Sequence, residues 1–257
     1  PISSEMSVMR SSLWPGMLLA ASANASRQQD RIRLFEIGKS FHGVLDAHVE
    51  VLRIAGVAIG GSSPEQWGAP TQAIDFFDIK ADVTALLTLA VPESRVEFVV
   101  AQHPALQPGQ TANIVRGGAT IGVIGKLHPR HAKRFDLKRD VFMFELDAEA
   151  ALESAAPTAS PVSKFPSIRR DIAVVVDDKV SSDELVRAVE STAPELISTV
   201  RIFDIYKGPG IEAGLKSVAL GLILQETSRT LTDDDADAAM AAAVRTLKDE
   251  FAAELRD

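Results

Sequence analysis

Two adjacent guanidinium groups, Arg169 and Arg170, stand in the stretch KFPSIRRDIAVVVDD that runs from Lys164 to Asp178. Arginine offers a planar, permanently charged fork of donors that suits a phosphate or a carboxylate. The residues after the doublet, Ile172 to Val176, are β-branched or small and read as a buried strand. A buried strand does not explain two cations at its mouth. Arg201, Lys207 and Lys216 lie on other strands or strand ends of the same part of the chain. Two readings of this charge stay open: a basic edge or sheet face, or a solvated sheet with scattered cations.

Other candidate chemistry is weaker. His128 and His131 are three residues apart in HPRH, a spacing that two ligands of a metal could use on one helical turn. The chain has no cysteine and suggests no third ligand, and proline between the histidines fits a helix start better. The glycine-rich KGPGIEAG, Lys207 to Gly214, lacks the Lys-Ser/Thr of a phosphate loop and joins two strands, so it reads as a hairpin loop. No motif implies a Ser-His-Asp or Cys-His set. The expectation is therefore no catalytic residue and no metal ligand.

These groups need elements to hold them. The first part reads as strands at 31–41 and 51–60, a helix at 75–90, and strands at 95–101, 111–116, 119–127 and 141–147. Gly117-Gly118 supplies a turn, and His128-Pro129 opens a short helix toward Phe135. Residues 154–161 hold only alanine, proline, threonine, serine and the like, and read as a linker between domains at 1–153 and 162–257. The second part reads as a strand at 170–177, a helix at 181–193, strands at 197–207 and 215–225, a helix from Thr232, and a closing strand in AELRD. Ser181 with Glu184 makes a capping box. The order βαββαβ is that of a ferredoxin-like split βαβ unit, in an α+β protein.

Bulk composition sets limits. With 257 residues, the chain has room for two cores. The net charge of −8 argues against a non-specific coat on nucleic acid, so a polyanion would need a local patch. From Val162 onward there are 12 basic and 18 acidic residues, with most of the excess acid on the two helices. The lack of cysteine fits a reducing compartment, and the cytoplasm is the expected location. The run from Arg10 to Ser26 has the outline of a secretory signal, but Glu5 precedes it and Pro15-Gly16 interrupts it. A helix beginning near Pro15 is the other reading. No apolar run is long enough to span a membrane. The chain begins at Pro1 and is read as a piece of a longer protein.

The quoted stretches resemble the C-terminal part of the β subunits of bacterial phenylalanine–tRNA ligases. The resemblance is carried by PISSEMSVMRSSLWPGML, SRQQDRIRLFEIGKSF, FFDIKADV, HPALQPGQTANI, IGVIGKLHP, FPSIRRDIAVVV, FDIYKGPGIEAGLKSVALGLILQ and SRTLTDDD, in the family's order. Only the linker falls outside it. It implies a class II synthetase-like antiparallel-sheet domain that has lost catalysis, then a ferredoxin-fold anticodon-binding domain. It implies an α subunit as partner in an α2β2 assembly, phenylalanine tRNA as the bound RNA, and ATP and magnesium for the whole enzyme but no cofactor here. The family's editing site and amino-terminal modules would lie upstream.

Where the family's catalytic relatives carry Gly-x-Glu-Arg, this chain has VFMFELDAEAAL, with Glu145, Asp147 and Glu149 and neither glycine nor arginine. Carboxylates there would repel a triphosphate. By the same resemblance, Arg169 and Arg170 would contact RNA phosphates, with Lys207 and Lys216 flanking the hairpin, and Phe165, Phe203 or Tyr206 would stack on an unpaired base. The alternative is that Phe203 is core and that Arg170 pairs with Asp171 or Asp204. A cluster of large apolar residues, Met6, Met9, Leu13, Trp14 and Leu18, is expected to form a surface for the α subunit.

Overall fold

The computed structural model describes residues 7–44, 46–90, 95–153 and 162–256. The backbone divides into two compact units, Pro1–Pro157 and Thr158–Asp257. The expected linker, 154–161, lies outside the described residues.

The first unit is built on one antiparallel sheet of six strands, in the order β1-β2-β6-β5-β4-β3. The strands are β1 (Ile32–Val44), β2 (Ala47–Ile59), β3 (Val96–Val100), β4 (Leu106–Arg116), β5 (Ala119–Leu127) and β6 (Val141–Asp147). Helices cover both faces of the central strands, which explains why the second half of β2 and β6 read as nearly continuous apolar runs. Helix α2 (Phe76–Ala90) lays Ile79, Val83 and Leu87 over Ile54, Ile114, Ile124 and Phe144. Helix α1 (Trp14–Ala25) lays Trp14, Met17, Leu18 and Ala21 over Ala55, Val57 and Met143 on the other face. The short helices α3 (Pro129–Arg134) and α4 (Ala148–Leu152) follow β5 and β6.

Two details differ from the sequence reading. The polar segment between the first two strands is itself strand: β1 and β2 stay in register out to Val44 and Ala47. Gly43, at φ 95°, takes the backbone through a conformation that an L side chain resists. The apolar cluster near the amino terminus is also mostly internal. Leu13, Trp14 and Leu18 are buried, and Trp14 Nε1 donates to the carbonyl of Phe144 at 3.0 Å. Helical spacing turned these side chains inward, where the sequence reading took them for a partner surface. Met9 and Leu19 are exposed, and Met6 lies outside the described residues.

The second unit has a four-stranded antiparallel sheet in the order β10-β7-β9-β8. Its elements are β7 (Ile168–Asp177), α5 (Ser182–Thr192), β8 (Ile197–Tyr206), β9 (Leu215–Leu224), α6 (Asp233–Phe251) and β10 (Glu254–Leu255). The expected βαββαβ order is what the backbone shows. Capping boxes at Ser181/Glu184 and Thr232/Asp235 start the two helices. Both helices pack on one face, where Leu185, Val189, Ala239, Ala243 and Leu247 meet Ile172, Val174, Val176, Val218, Leu220 and Leu222. Among the described residues, no helix of this unit packs on the other face of the sheet.

Candidate nucleic-acid interface

Successive strand side chains point to opposite faces of a sheet. In β7, Ile172, Val174 and Val176 point toward the helices. Arg170 is in phase with them. Arg169, Asp171, Ala173 and Val175 are in phase with the open face. A doublet of arginines on one strand therefore cannot face one partner.

Arg170 turns to helix α6. Its Nη2 donates to Asp233 Oδ1 at 2.7 Å, and Nε stands 3.9 Å from Asp237 Oδ1. The guanidinium offsets the aspartates that favour the start of that helix. So Arg170 lies on the helix side of the sheet, paired with Asp233 and with neither Asp171 nor Asp204.

Lys216 is also not at an exposed strand end. Its Cα pairs with Val176, so it shares the helix side. The side chain is buried, and Nζ donates to the carbonyls of Asp178 at 3.0 Å and Val180 at 2.5 Å. It ties down the loop between β7 and α5. Lys207 is exposed but forms an ion pair with Asp178, and this contact holds the Asp178 carboxyl below its ordinary value. Phe165 is half-buried ahead of β7, and its carbonyl accepts from Gln225 Nε2 at 2.7 Å.

The open face is where Arg169 lies. Its Nε donates to Asp171 Oδ1 at 2.8 Å. The pair rests over Gly221 of β9: a Cβ built there would meet Asp171 Oδ1 at 3.0 Å and Arg169 Nη2 at 3.1 Å. Beyond it, the guanidinium carbon of Arg169 sits 5.4 Å from the centre of the Phe203 ring. Phe203 stands at an irregularity between Ile202 and Asp204 and is 53% exposed, so it is not a core residue. At the other end, Arg256 lies with its guanidinium carbon 5.2 Å from the Tyr206 ring. The Tyr206 hydroxyl donates to the Pro209 carbonyl at 3.2 Å, so the hairpin loop fixes the ring. Arg201 pairs across the sheet with Gly221 and is exposed.

The floor between these groups is small: Ala173, Gly221 and Ala219, with Ser217 beside Tyr206. Three arginines and two aromatic rings thus surround a strip of small residues, in which Gly221 and Ser217 are buried, and Asp171 and Asp204 share the face. Guanidinium donors suit phosphate, and the exposed Phe203 ring suits stacking, with the half-buried Tyr206 ring beside it. Of the residues expected at the site, the structure brings Arg169 and Tyr206 to this face, while Arg170 and Lys216 lie on the other. Arg256 falls in the closing strand expected at AELRD, but nothing in that stretch alone shows that its guanidinium reaches the Tyr206 ring. Arg201 was legible as a strand cation, though not as a site residue.

Residues 163–256 match the ferredoxin-fold anticodon binding domain, and residues 1–148 match the phenylalanyl tRNA synthetase beta chain CLM domain. The chain belongs to the phenylalanyl-tRNA synthetase beta chain family. It is 43% identical over 256 residues to the phenylalanine–tRNA ligase beta subunit of Pseudomonas syringae pv. tomato, covering 100% of this chain and 32% of that protein. The beta subunit of Methylococcus capsulatus is 44% identical over 257 residues, with the same coverages, and that of Aliivibrio fischeri is 42% identical over 260 residues. The chain thus spans about a third of the length of these beta subunits. That share is a length and gives no position within those subunits. A pyrrolysyl-tRNA synthetase from Desulfitobacterium hafniense aligns over 56% of this chain and 48% of its own, at a TM-score of 0.42 and 15% identity, too distant to support an argument.

Proposed function

We propose that this chain is the assembly and anticodon-arm-binding part of a phenylalanine–tRNA ligase beta subunit, and that it performs no chemistry itself. The observation that carries the RNA reading is the open face of the second unit, with Arg169 beside Phe203 and Arg256 beside Tyr206 over a floor of small residues. On this reading an anticodon base stacks on a ring, and Arg169, Arg201 and Arg256 take phosphates. The partner is an α subunit in an α2β2 assembly, working with phenylalanine tRNA in the cytoplasm. Among the described residues no helix is long and apolar enough to cross a membrane.

The first unit takes the role of a class II-like scaffold without its reaction. ATP and magnesium then belong to the α subunit, because the residues at β6 do not fit a triphosphate. Glu145 Oε1 accepts from Ser12 Oγ at 2.9 Å and from the Leu13 N–H at 2.7 Å, holding the start of α1. Asp147 caps α4 through the Ala150 N–H and lies 3.7 Å from Arg53. These carboxylates serve the fold, and they set negative charge where a nucleotide would need cations.

The test is photo-crosslinking of the phenylalanine tRNA anticodon stem-loop to the chain, with the crosslinked peptides mapped. Crosslinks are expected in peptides that carry Phe203, Tyr206 or Arg256. Crosslinks confined to α5 and α6 would overturn the reading.

A further inference from the structure

A second concentration of positive charge lies in the first unit. The segment from Lys126 to Arg139 holds six lysines and arginines and one acidic residue, Asp136, in a chain whose net charge is −8. Two of the six are neutralised: Lys126 Nζ lies 2.8 Å from Asp140 Oδ2, and Arg139 Nη2 lies 2.7 Å from Asp30 Oδ1. Among the described residues no carboxylate pairs with Arg130, Lys133, Arg134 or Lys138, and all four are exposed. Arg130 donates to the Pro104 carbonyl and to His131 Nε2, both neutral acceptors.

Arg130, Lys133 and Arg134 fall at i, i+3 and i+4 of α3, so they share one side of that helix. Like charges at this spacing disfavour the helix. The dipole at its carboxy end compensates in part for Lys133 and Arg134. It does nothing for Lys138, which lies past the left-handed turn at Asp136, φ 51°. Lys133 and Lys138 line the same groove of ≈ 310 Å³, with Lys126 and Arg139, two carboxylates, Asp136 and Asp140, and the apolar Leu127, Ala132 and Leu137. Local stability does not explain why four cations without acidic partners should gather here. A polyanion would.

We propose that this basic groove is a second RNA contact and takes phosphates of a paired stem outside the anticodon arm. The inference rests on the reading that the second unit binds that arm, which brings the rest of the same RNA to the chain. A stem fits better than a loop. The rings of this segment, His128, His131 and Phe135, are all half-buried, and none is exposed to an unpaired base as Phe203 is on the second unit. Flexible lysines read phosphate charge without sequence.

The experiment compares wild type with the variant Lys133→Gln/Arg134→Gln/Lys138→Gln. Each is titrated with full-length phenylalanine tRNA and with the isolated anticodon stem-loop, across a salt series. For the tRNA, the variant is expected to bind on the order of tenfold more weakly at low salt. Its slope of log affinity against log salt should flatten by roughly two to three, at about 0.9 for each phosphate on duplex. Stem-loop binding should not change. A conservative variant, Lys133→Arg/Lys138→Arg, should keep wild-type slopes and controls for disturbance of the fold. Unchanged tRNA affinity and slope in the glutamine variant would overturn the proposal. So would competition by polyglutamate as strong as that of RNA, which would make the groove a surface for an acidic protein. Failure of the anticodon reading shows separately, as a wild-type chain that binds tRNA but not the stem-loop.

Discussion

The guanidinium of Arg169 lies 5.4 Å from the ring of Phe203 on the open face of the small sheet, while its neighbour Arg170 reaches Asp233 on the opposite face. One residue of strand separates a cation on the open face, paired there with Asp171, from one that reaches helix α6. The two substitutions should therefore part company. Arg170→Ala is expected to lower stability by about 0.5–1 kcal/mol, the range of a partly exposed ion pair, with RNA affinity intact. Arg169→Ala should do the reverse. Thermal melts and stem-loop titrations of both variants check this, and equal effects on binding would contradict it.

Gly221 lets the Arg169–Asp171 pair lie flat, because any Cβ there meets both side chains. Gly221→Val should lift that pair and roughen the floor beneath a stacked base. RNA affinity is expected to drop several-fold or more, with only a small change in melting temperature. A large loss of stability with unchanged binding by the folded fraction would show that the floor is merely structural.

Trp14 is internal and hydrogen-bonded, so its replacement tests packing and not subunit contact. Trp14→Ala should destabilise the first unit by about 3–5 kcal/mol. Trp14→Phe retains most of the ring but loses the bond to the Phe144 carbonyl, and should cost about 1–2 kcal/mol. Denaturant titrations measure both. A near-neutral Trp14→Ala would mean that the side chain belongs to a surface after all.

Asp235 sits at the start of α6, where the Arg229 guanidinium and the Thr232 N–H and hydroxyl hold its carboxyl far below the ordinary value of 3.8. A depressed folded-state value contributes stability that is fully present above the unfolded value and is lost as pH falls below it. Asp235→Asn should therefore lower the melting temperature at pH 7, and the gap to wild type should close as pH falls below 3.8. A gap that is constant between pH 7 and pH 3 would contradict this assignment.

Much of the second unit was legible in its sequence. The capping residues, the apolar stripes and the βαββαβ order all followed from local periodicity. The placement of the candidate site residues was less so. Period-two alternation, applied to β7, already separates Arg169 from Arg170. Applied to β9, it sets Lys216 in phase with Val218, Leu220 and Leu222, on the buried side. Treating the cations as a set of strand-end charges overlooked that phase. Arg256 was a different matter. Its contact with Tyr206 depends on β10 closing the far edge of the sheet, a long-range pairing that two residues of strand do not announce. Trp14 was misjudged because an apolar run near a terminus looks the same whether a partner or the chain's own sheet covers it.

The most direct measurement is a salt titration of anticodon stem-loop binding by wild type, Arg170→Ala and the variant Arg169→Ala/Arg201→Ala/Arg256→Ala. With three arginines on the open face and about 0.7 per phosphate for single-stranded contacts, the wild-type slope should be about two. Arg170→Ala should keep that slope. The triple variant should bind weakly with a slope near zero while its circular dichroism stays that of the wild type. Equal slopes for wild type and the triple variant would contradict the account, because the open face would then not be where the RNA lies.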